Sequence, residues 1–195
     1  MNAANDIFSY LLQTAISLYL LAMVLRFLLQ LVRADFYNPI SQFLVKATNP
    51  LVVPLRRVLP GLGGIDLSSL VLALVIQSLG IIFILFLKTG AVILHPVVLL
   101  WALIALLGLV INIYFFSLLA VIILSWVAPG GNNPALYLLH QITEPVMAPF
   151  RKMLPPMGGM DFSPILVFIL INVLKIALGH MAAGAGMPMG VAMGI

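Results

Sequence analysis

The stretch NPISQFLVKATNPLVVPLRRVLPGLGGIDLS at residues 38–68 decides the fold, because a second stretch with the same motifs occurs later in the chain. A shift of 95 residues aligns it without a gap on NPALYLLHQITEPVMAPFRKMLPPMGGMDFS at residues 133–163. The two stretches share the pattern NP…TxP…PxRxxLP…GGxDxS, and each lies between long apolar runs. This agreement predicts an internal duplication.

The composition identifies lipid as the main solvent of this chain. Hydrophobic residues make up 64% of the sequence and charged residues 7%, and the mean hydropathy is +1.24. A soluble domain carries about 25% charged residues, so this chain cannot cover itself with polar surface. The absence of cysteine excludes disulfides, thiolate metal sites and a cysteine nucleophile.

Four apolar runs are long enough to cross a bilayer as helices, which takes about 20 residues. We predict an all-α membrane protein with four transmembrane helices from two tandem parallel repeats. Each repeat is a helix, an interfacial amphipathic and Pro-rich connection, and a second helix. The repeats are residues 1–87, with spans at 7–32 and 67–87, and residues 101–182, with spans at 101–127 and 164–182.

Two segments lie outside the repeats. Residues 88–100 are predicted to be an interfacial connector, with a fifth span broken at Pro96 as the alternative; the repeat alignment favours the connector. Residues 183–195 are rich in Gly, Ala and Met and are predicted to form a flexible tail.

The basic residues predict the orientation, because Lys and Arg concentrate in cytoplasmic loops. Both connections inside the repeats are therefore expected in the cytoplasm, and both termini on the non-cytoplasmic side. There the basic side chains are expected to contact the headgroups of anionic lipids. The residues assigned to that contact are Arg33, Lys46, Arg57 and Lys152.

Each connection is predicted to begin as a short helix, at 39–47 and 134–143, opened by proline at the first helical position. The prolines that follow are expected to break the backbone. A Gly-Gly turn then leads to the next span, with Ser68 and Ser163 as predicted N-caps.

The candidate site is the GGxD turn together with the arginine that precedes it in each repeat. In a parallel pseudo-dimer the two carboxylates are expected near a common axis, where they could hold a cation that the arginines gate. The favoured interpretation is a turn-and-cap device that holds the connection onto the second helix. Pairing of each aspartate with an arginine of its own loop is compatible with either interpretation. The residues concerned are Arg56, Gly63, Gly64, Asp66, Arg151, Gly158, Gly159 and Asp161.

Arg26 lies within the first span, about one and a half turns from the first connection. A charge in the hydrocarbon is costly. Arg26 is therefore expected to extend its side chain to the cytoplasmic interface.

The doubled pattern resembles the YggT family of bacterial inner-membrane proteins, and the resemblance covers residues 1–182. It implies a multi-pass protein of the bacterial inner (plasma) membrane. It also implies a role in osmotic or extracytoplasmic stress tolerance, since members of the family are tied to these responses and some to potassium homeostasis.

Three classes of function follow. The favoured one is an accessory or scaffold membrane protein, whose partners are the bilayer, anionic lipids, a second copy of the chain and an unidentified membrane or cytoplasmic protein. The alternative is a small oligomeric cation channel or transporter that uses the GGxD/Arg loops. A membrane enzyme is disfavoured, because the sequence offers no nucleophile–base pair or metal cluster. No catalytic residue, metal, cofactor or direct nucleic-acid contact is predicted.

Overall fold

The computed structural model describes residues 3–61, 63–127, 133–154 and 161–191. Within these ranges all the regular secondary structure is α-helical. The six helices are α1 (Ala3–Leu31), α2 (Pro39–Arg56), α3 (Leu67–Thr89), α4 (Val97–Val127), α5 (Pro134–Met153) and α6 (Ser163–Gly184).

Four of these helices, α1, α3, α4 and α6, are long and apolar enough to cross a membrane. They follow the two-repeat pattern, which confirms the predicted all-α fold of four spans with a connecting helix inside each repeat. Gly90 ends α3 in the left-handed conformation, and α4 begins at Val97. The segment between them therefore holds no fifth helix.

The connecting helices α2 and α5 are longer than the sequence predicts, because each continues through two prolines. Asn38 caps α2 and Asn133 caps α5, each accepting a hydrogen bond from the backbone N–H two residues on. Pro50 and Pro54 lie inside α2 and are exposed, so the carbonyls left without a helical partner can reach water. The prediction that proline ends the first helix at residue 47 was therefore wrong.

The second span of each repeat also begins differently from the prediction. Asp66 is the N-cap of α3, and its Oδ1 accepts a hydrogen bond from the Ser69 N–H at 3.3 Å. Ser68 and Ser163 lie inside the first turns of α3 and α6 instead of capping them. In α3 a carboxylate two residues before the predicted cap takes this position, because the N-terminus of a helix favours negative charge. The N-cap of α6 is Phe162, whose side chain makes no capping hydrogen bond.

The spans pack in sequence order. Within the repeats α1 packs on α3 and α4 packs on α6, and the principal contact between the repeats is α3 against α4. The largest core lies among α1, α3 and α4. Two smaller cores hold α2 and α5 against the spans at one end of the bundle. We call this end, which contains both connecting helices, the loop end.

At the opposite end, the tail end, residues 185–191 fold back onto the bundle. The Trp101 indole N–H donates to the Ala185 carbonyl at 2.9 Å, and the Gln13 amide donates to the Gly190 carbonyl at 2.9 Å. The Val191 side chain is buried in the core of α1, α3 and α4. The prediction of a flexible tail from residue 183 was therefore wrong up to Val191, because backbone carbonyls and one apolar side chain anchor the segment.

Candidate functional site

The aspartate of the first GGxD turn lies at the centre of a buried polar cluster. The Asp66 side chain is completely buried at the start of α3. Its Oδ2 accepts a hydrogen bond from the Ser69 hydroxyl at 2.8 Å and another from Arg56 Nη2. A buried carboxylate is strongly unfavourable unless charges and donors surround it. Here α2 and α3 each supply a partner.

The third partner of this carboxylate comes from the first span. Arg26 Nε lies 3.7 Å from Asp66 Oδ2, and its side chain is only 4% exposed. Its Nη1 donates to Thr48 Oγ1 at 2.6 Å and to Asn49 Oδ1 at 2.9 Å. Arg26 therefore does not extend to the interface as predicted. It ties α1 to both α2 and α3.

The second repeat forms a different cluster at the equivalent place. Arg151 Nε lies 3.0 Å from Asp161 Oδ2, and Arg151 Nη1 lies 2.6 Å from Glu144 Oε2. Asp161 Oδ1 also accepts a hydrogen bond from the Ser163 N–H at 2.9 Å. All three charged side chains are more than a third exposed. This cluster therefore lies at the surface of the loop end.

The two clusters have opposite net charge. The first-repeat cluster contains two guanidinium groups and one carboxylate, whereas the second-repeat cluster contains one guanidinium and two carboxylates. The difference comes from two positions of the repeat. Arg26 corresponds to Val121, and Asn49 corresponds to Glu144. The second copy thus lacks the buried arginine and has gained an exposed acid.

Protonation in the second-repeat cluster reflects its close contacts. Burial raises the pKa of Asp161, but hydrogen bonds from Ser163 and Arg151 and the charge of Arg151 outweigh it, so the pKa is lowered. Burial lowers the pKa of Arg151, but the hydrogen bonds and charges of Glu144 and Asp161 outweigh it, so the pKa is raised. Both shifts stabilise the ionised forms.

Each aspartate thus pairs with the arginine of its own loop, an arrangement that both interpretations of the GGxD turn allow. Among the described residues, no ion pair or hydrogen bond of Asp66 or Asp161 crosses to the other repeat. Gly63 and Gly64 have φ angles of 61° and 88°, which glycine adopts without strain. Gly158 and Gly159 lie outside the described residues.

The Asn-Pro motifs are what the structure brings together across the repeats. The Asn38 side-chain amide donates to the Pro134 carbonyl at 2.8 Å, and the Gln141 side chain accepts from the Asp35 N–H at 3.1 Å. An open groove of about 490 Å³ lies between the N-termini of α2 and α5, with Tyr37 and Tyr137 among its lining residues. The helix N-termini therefore join the two connections at the loop end.

Helix α2 presents three different faces. One stripe with helical spacing is buried against the bundle, and it consists of Ser41, Leu44, Thr48 and Val52. A second, exposed stripe is apolar and includes Ile40, Phe43 and Leu51. On the other side of the buried stripe lie the exposed polar residues Gln42 and Lys46, with Arg57 just beyond the helix. An apolar face beside a basic one is typical of helices at the membrane interface.

The residues predicted to contact headgroups are all exposed: Arg33, Lys46, Arg57 and Lys152. Arg33 lies two residues after the end of α1 and has a positive φ of 52°. The Ala34 N–H donates to the Leu29 carbonyl at 2.8 Å, as in a left-handed helix cap. This turn directs the chain from the first span into α2.

Sequence reasoning did not place five residues in the clusters: Arg26, Thr48, Asn49, Ser69 and Glu144. A signal was present in the repeat alignment, because positions 26 and 49 both differ in charge from their equivalents 121 and 144. Positions 6, 33, 35, 46 and 80 also differ in charge from their equivalents, so the repeat alignment by itself does not single out positions 26 and 49. In the described part of the chain, no group of three His, Cys, Asp or Glu residues is placed to hold a metal ion.

A sequence model of the CCB3/YggT family matches this chain twice, over residues 5–87 and again over 100–182. The chain belongs to the CCB3/YggT family. The two matches are separated by the same shift of 95 residues that aligns the Asn-Pro and GGxD motifs. Both copies of the family unit therefore contain one connecting helix between two spans.

Bacterial relatives within the CCB3/YggT family cover nearly the whole chain. The Pseudomonas aeruginosa protein PA0392 is 50% identical over 192 residues, 96% of each chain. The Escherichia coli K12 protein YggT is 38% identical over 178 residues, 91% of this chain and 92% of its own. The chloroplast YlmG homolog protein 2 of Arabidopsis thaliana is 36% identical over 62 residues, 32% of this chain and 24% of its own. No solved structure matches the chain.

Proposed function

We propose that this member of the CCB3/YggT family is a non-enzymatic protein of the bacterial inner membrane that supports osmotic and extracytoplasmic stress tolerance. It acts as an accessory or scaffold protein. Its connecting helices rest on the cytoplasmic headgroups, and both termini lie on the opposite side. The observation that carries this proposal is the three-faced helix α2, with one face fixed to the bundle and a basic face free beside an apolar one.

The first-repeat cluster supports a structural role for Asp66 at the loop end. The Asp66 carboxylate already has two arginines and a serine around it and is closed to water. A cation at this place would have to displace a guanidinium group. The cluster is better suited to hold α2 in a fixed position relative to α1 and α3 than to bind an ion in transit.

With α2 fixed, its Lys46 lies at phosphate depth in one basic surface with Arg33 before the helix, Arg57 after it and Lys152 on α5. Each Lys or Arg near an anionic leaflet adds about 1 kcal/mol of attraction. Arg33, Lys46, Arg57 and Lys152 together hold the loop end against such lipids. We propose that this surface responds to the packing and charge of the headgroups and that osmotic stress acts on the protein in this way.

Lipid binding tests the proposal directly. Anionic lipid added to the purified protein in detergent should raise its unfolding temperature more than zwitterionic lipid does, because a ligand that binds only the folded state stabilises it. The combined substitution of Arg33, Lys46, Arg57 and Lys152 by Gln should remove that difference. Lys88→Gln, at the tail end, is the control and should retain it.

A growth experiment connects this surface with the stress response. In a strain lacking the gene, the wild type and Lys88→Gln should restore growth after hyperosmotic shock, whereas the fourfold Gln variant at equal abundance should not. Full complementation by the fourfold variant would refute the proposed use of the basic surface.

The channel alternative predicts a different result. Potassium and sodium flux would be measured in proteoliposomes with the wild type and with the Asp66→Asn, Asp161→Asn double variant. We expect no flux from either. Flux by the wild type that disappears in a folded double variant would replace the scaffold proposal with a transport function at the GGxD turns.

A further inference from the structure

The principal contact between the two repeats joins non-equivalent helices, and smaller contacts join α1 to α4 and α5 and α2 to α5. Helix α3, the second span of the first repeat, packs on α4, the first span of the second repeat. The equivalent pair, α6 with α1, is not in contact within the described residues. A two-fold relation between the repeats would produce both contacts. The repeats are therefore related head to tail. The face of α1 that is equivalent to the α3-facing side of α4, and the face of α6 that is equivalent to the α4-facing side of α3, are not covered by this contact.

The face left over on α1 can be identified through the repeat. On α4 a stripe with helical spacing is buried, and it consists of Ala102, Ala105, Leu106, Leu109 and Ile113. All of these except Ala105 belong to the core that α4 shares with α1 and α3. A shift of 95 residues places this stripe on Ile7, Tyr10, Leu11, Thr14 and Leu18 of α1. All five α1 residues are exposed, and the four large apolar ones are each at least 60% exposed.

The face left over on α6 follows in the same way. On α3 the residues Gln77, Ile81, Ile84 and Leu85 are buried. Their equivalents on α6 are Asn172, Ile176, Gly179 and His180, and all of them are exposed. The Asn172 amide donates to the Phe168 carbonyl of its own helix at 2.9 Å, and its exposed side chain lies on a transmembrane helix, where polar side chains are usually found at helix–helix contacts.

We propose that a second copy of this chain occupies these faces, with α6 of one copy packed on α1 of the next. This contact would reproduce the α3–α4 contact that the structure already contains. Because the repeats are parallel, every copy inserted in the same direction offers α1 antiparallel to a neighbouring α6, as α4 is to α3. Repetition of one rotation about the membrane normal can close into a ring, and the smallest ring has two copies and four repeats.

The position of the contact can be predicted from the hairpin of α3 and α4. In an antiparallel pair joined after Thr89, Ile81 is level with Ala105, and both side chains are completely buried. The equivalent residues at the outer faces are Ile176 and Tyr10. These two positions should therefore approach each other between neighbouring copies.

The absence of cysteine makes this contact directly testable. Chains with Ile176→Cys and chains with Tyr10→Cys would be prepared separately, co-expressed and oxidised in native membranes. The mixture should give a disulfide-linked dimer, whereas either variant alone should stay monomeric on a non-reducing gel, because the contact is heterologous. Ile176→Cys with Leu103→Cys, which is exposed on another face of α4, is the control and should not cross-link.

The chain that carries both Ile176→Cys and Tyr10→Cys should form a ladder of products that ends at the number of copies in the ring. Three results would overturn the proposal: no dimer in the mixture of folded variants, a dimer from one variant alone, or equal cross-linking of the Leu103→Cys control. The first and third would leave lipid as the occupant of both faces, and the second would show a symmetric contact instead.

Discussion

Arg26 and Asp66 form an ion pair, with Arg26 Nε 3.7 Å from Asp66 Oδ2, in which both side chains are shielded from solvent. The pair links the first span to the start of the second, and Arg26 also holds Thr48 of α2. Three helices thus converge on one carboxylate. The equivalent carboxylate, Asp161, has an exposed arginine and a backbone N–H as its partners.

We predict that neutralising the two aspartates has very different effects on stability. Asp66→Asn leaves the buried Arg26 without its counter-ion and should cost about 3–5 kcal/mol. Asp161→Asn breaks a surface pair and should cost about 0–1 kcal/mol. The free energy of unfolding of each purified variant, measured by titration of mild detergent micelles with denaturing detergent, distinguishes the two. Equal losses would contradict the assignment of the buried cluster.

The second-repeat cluster should weaken in acid. The pKa of Asp161 is lower in the folded protein than in the unfolded chain. Its ion pair therefore stabilises the fold above the unfolded pKa of about 3.9, and this contribution is lost as the pH falls through the folded value. The wild type should exceed Asp161→Asn in stability near neutral pH by less than about 1 kcal/mol, because the pair is exposed.

Unfolding of the wild type and Asp161→Asn between about pH 6 and pH 3 provides the measurement. The difference between the two proteins should shrink as the pH falls. Asp6→Asn, in the exposed first turns of α1, serves as the charge-matched control. A stability difference that grows toward low pH would contradict the lowered pKa of Asp161 in the folded protein.

The returning segment at the tail end should contribute measurably to stability. Val191→Ala removes buried methyl groups from the main core and should cost about 1–2 kcal/mol. Met189→Ala is the matched control, since this side chain lies two residues away and is 97% exposed. Thermal unfolding in one detergent compares them. If both variants have the same unfolding temperature as the wild type, residues 185–191 do not pack as described.

The orientation of the loop end is testable with single cysteines. Lys152→Cys should react with a membrane-impermeant maleimide only after the inner membrane is permeabilised, because the basic connections are expected in the cytoplasm. Lys88→Cys, exposed at the tail end, should react in intact spheroplasts. The reverse pattern would invert the proposed topology.

The four spans could be predicted from the sequence, because hydropathy and the repeat alignment are read directly from the residues. The aspartate and arginine of each loop lie ten residues apart in the same motif, so their pairing could be anticipated as well. The path of α2 through Pro50 and Pro54 could not be predicted in this way. Proline has a known cost in a helix, but whether solvent relieves that cost depends on which face the bundle covers.

The burial of Arg26 also depends on tertiary structure. Its position near the end of a span suits either a side chain that extends to the interface or one that turns inward. Only the placement of Asp66, Thr48 and Asn49 around it determines the choice. The tail presents the same difficulty, since its Gly-rich composition gives no indication of the carbonyl contacts with Gln13 and Trp101.

The packing of Val191 has a consequence for biosynthesis. This residue completes a core whose other members come mainly from α1, α3 and α4, so the first repeat receives one of its contacts from a residue that is synthesised after all six helices. Membrane insertion and folding proceed from the N-terminus during synthesis. The first repeat must therefore wait, already inserted, until residues 185–191 have been synthesised, and a chain interrupted before them would leave this core incomplete.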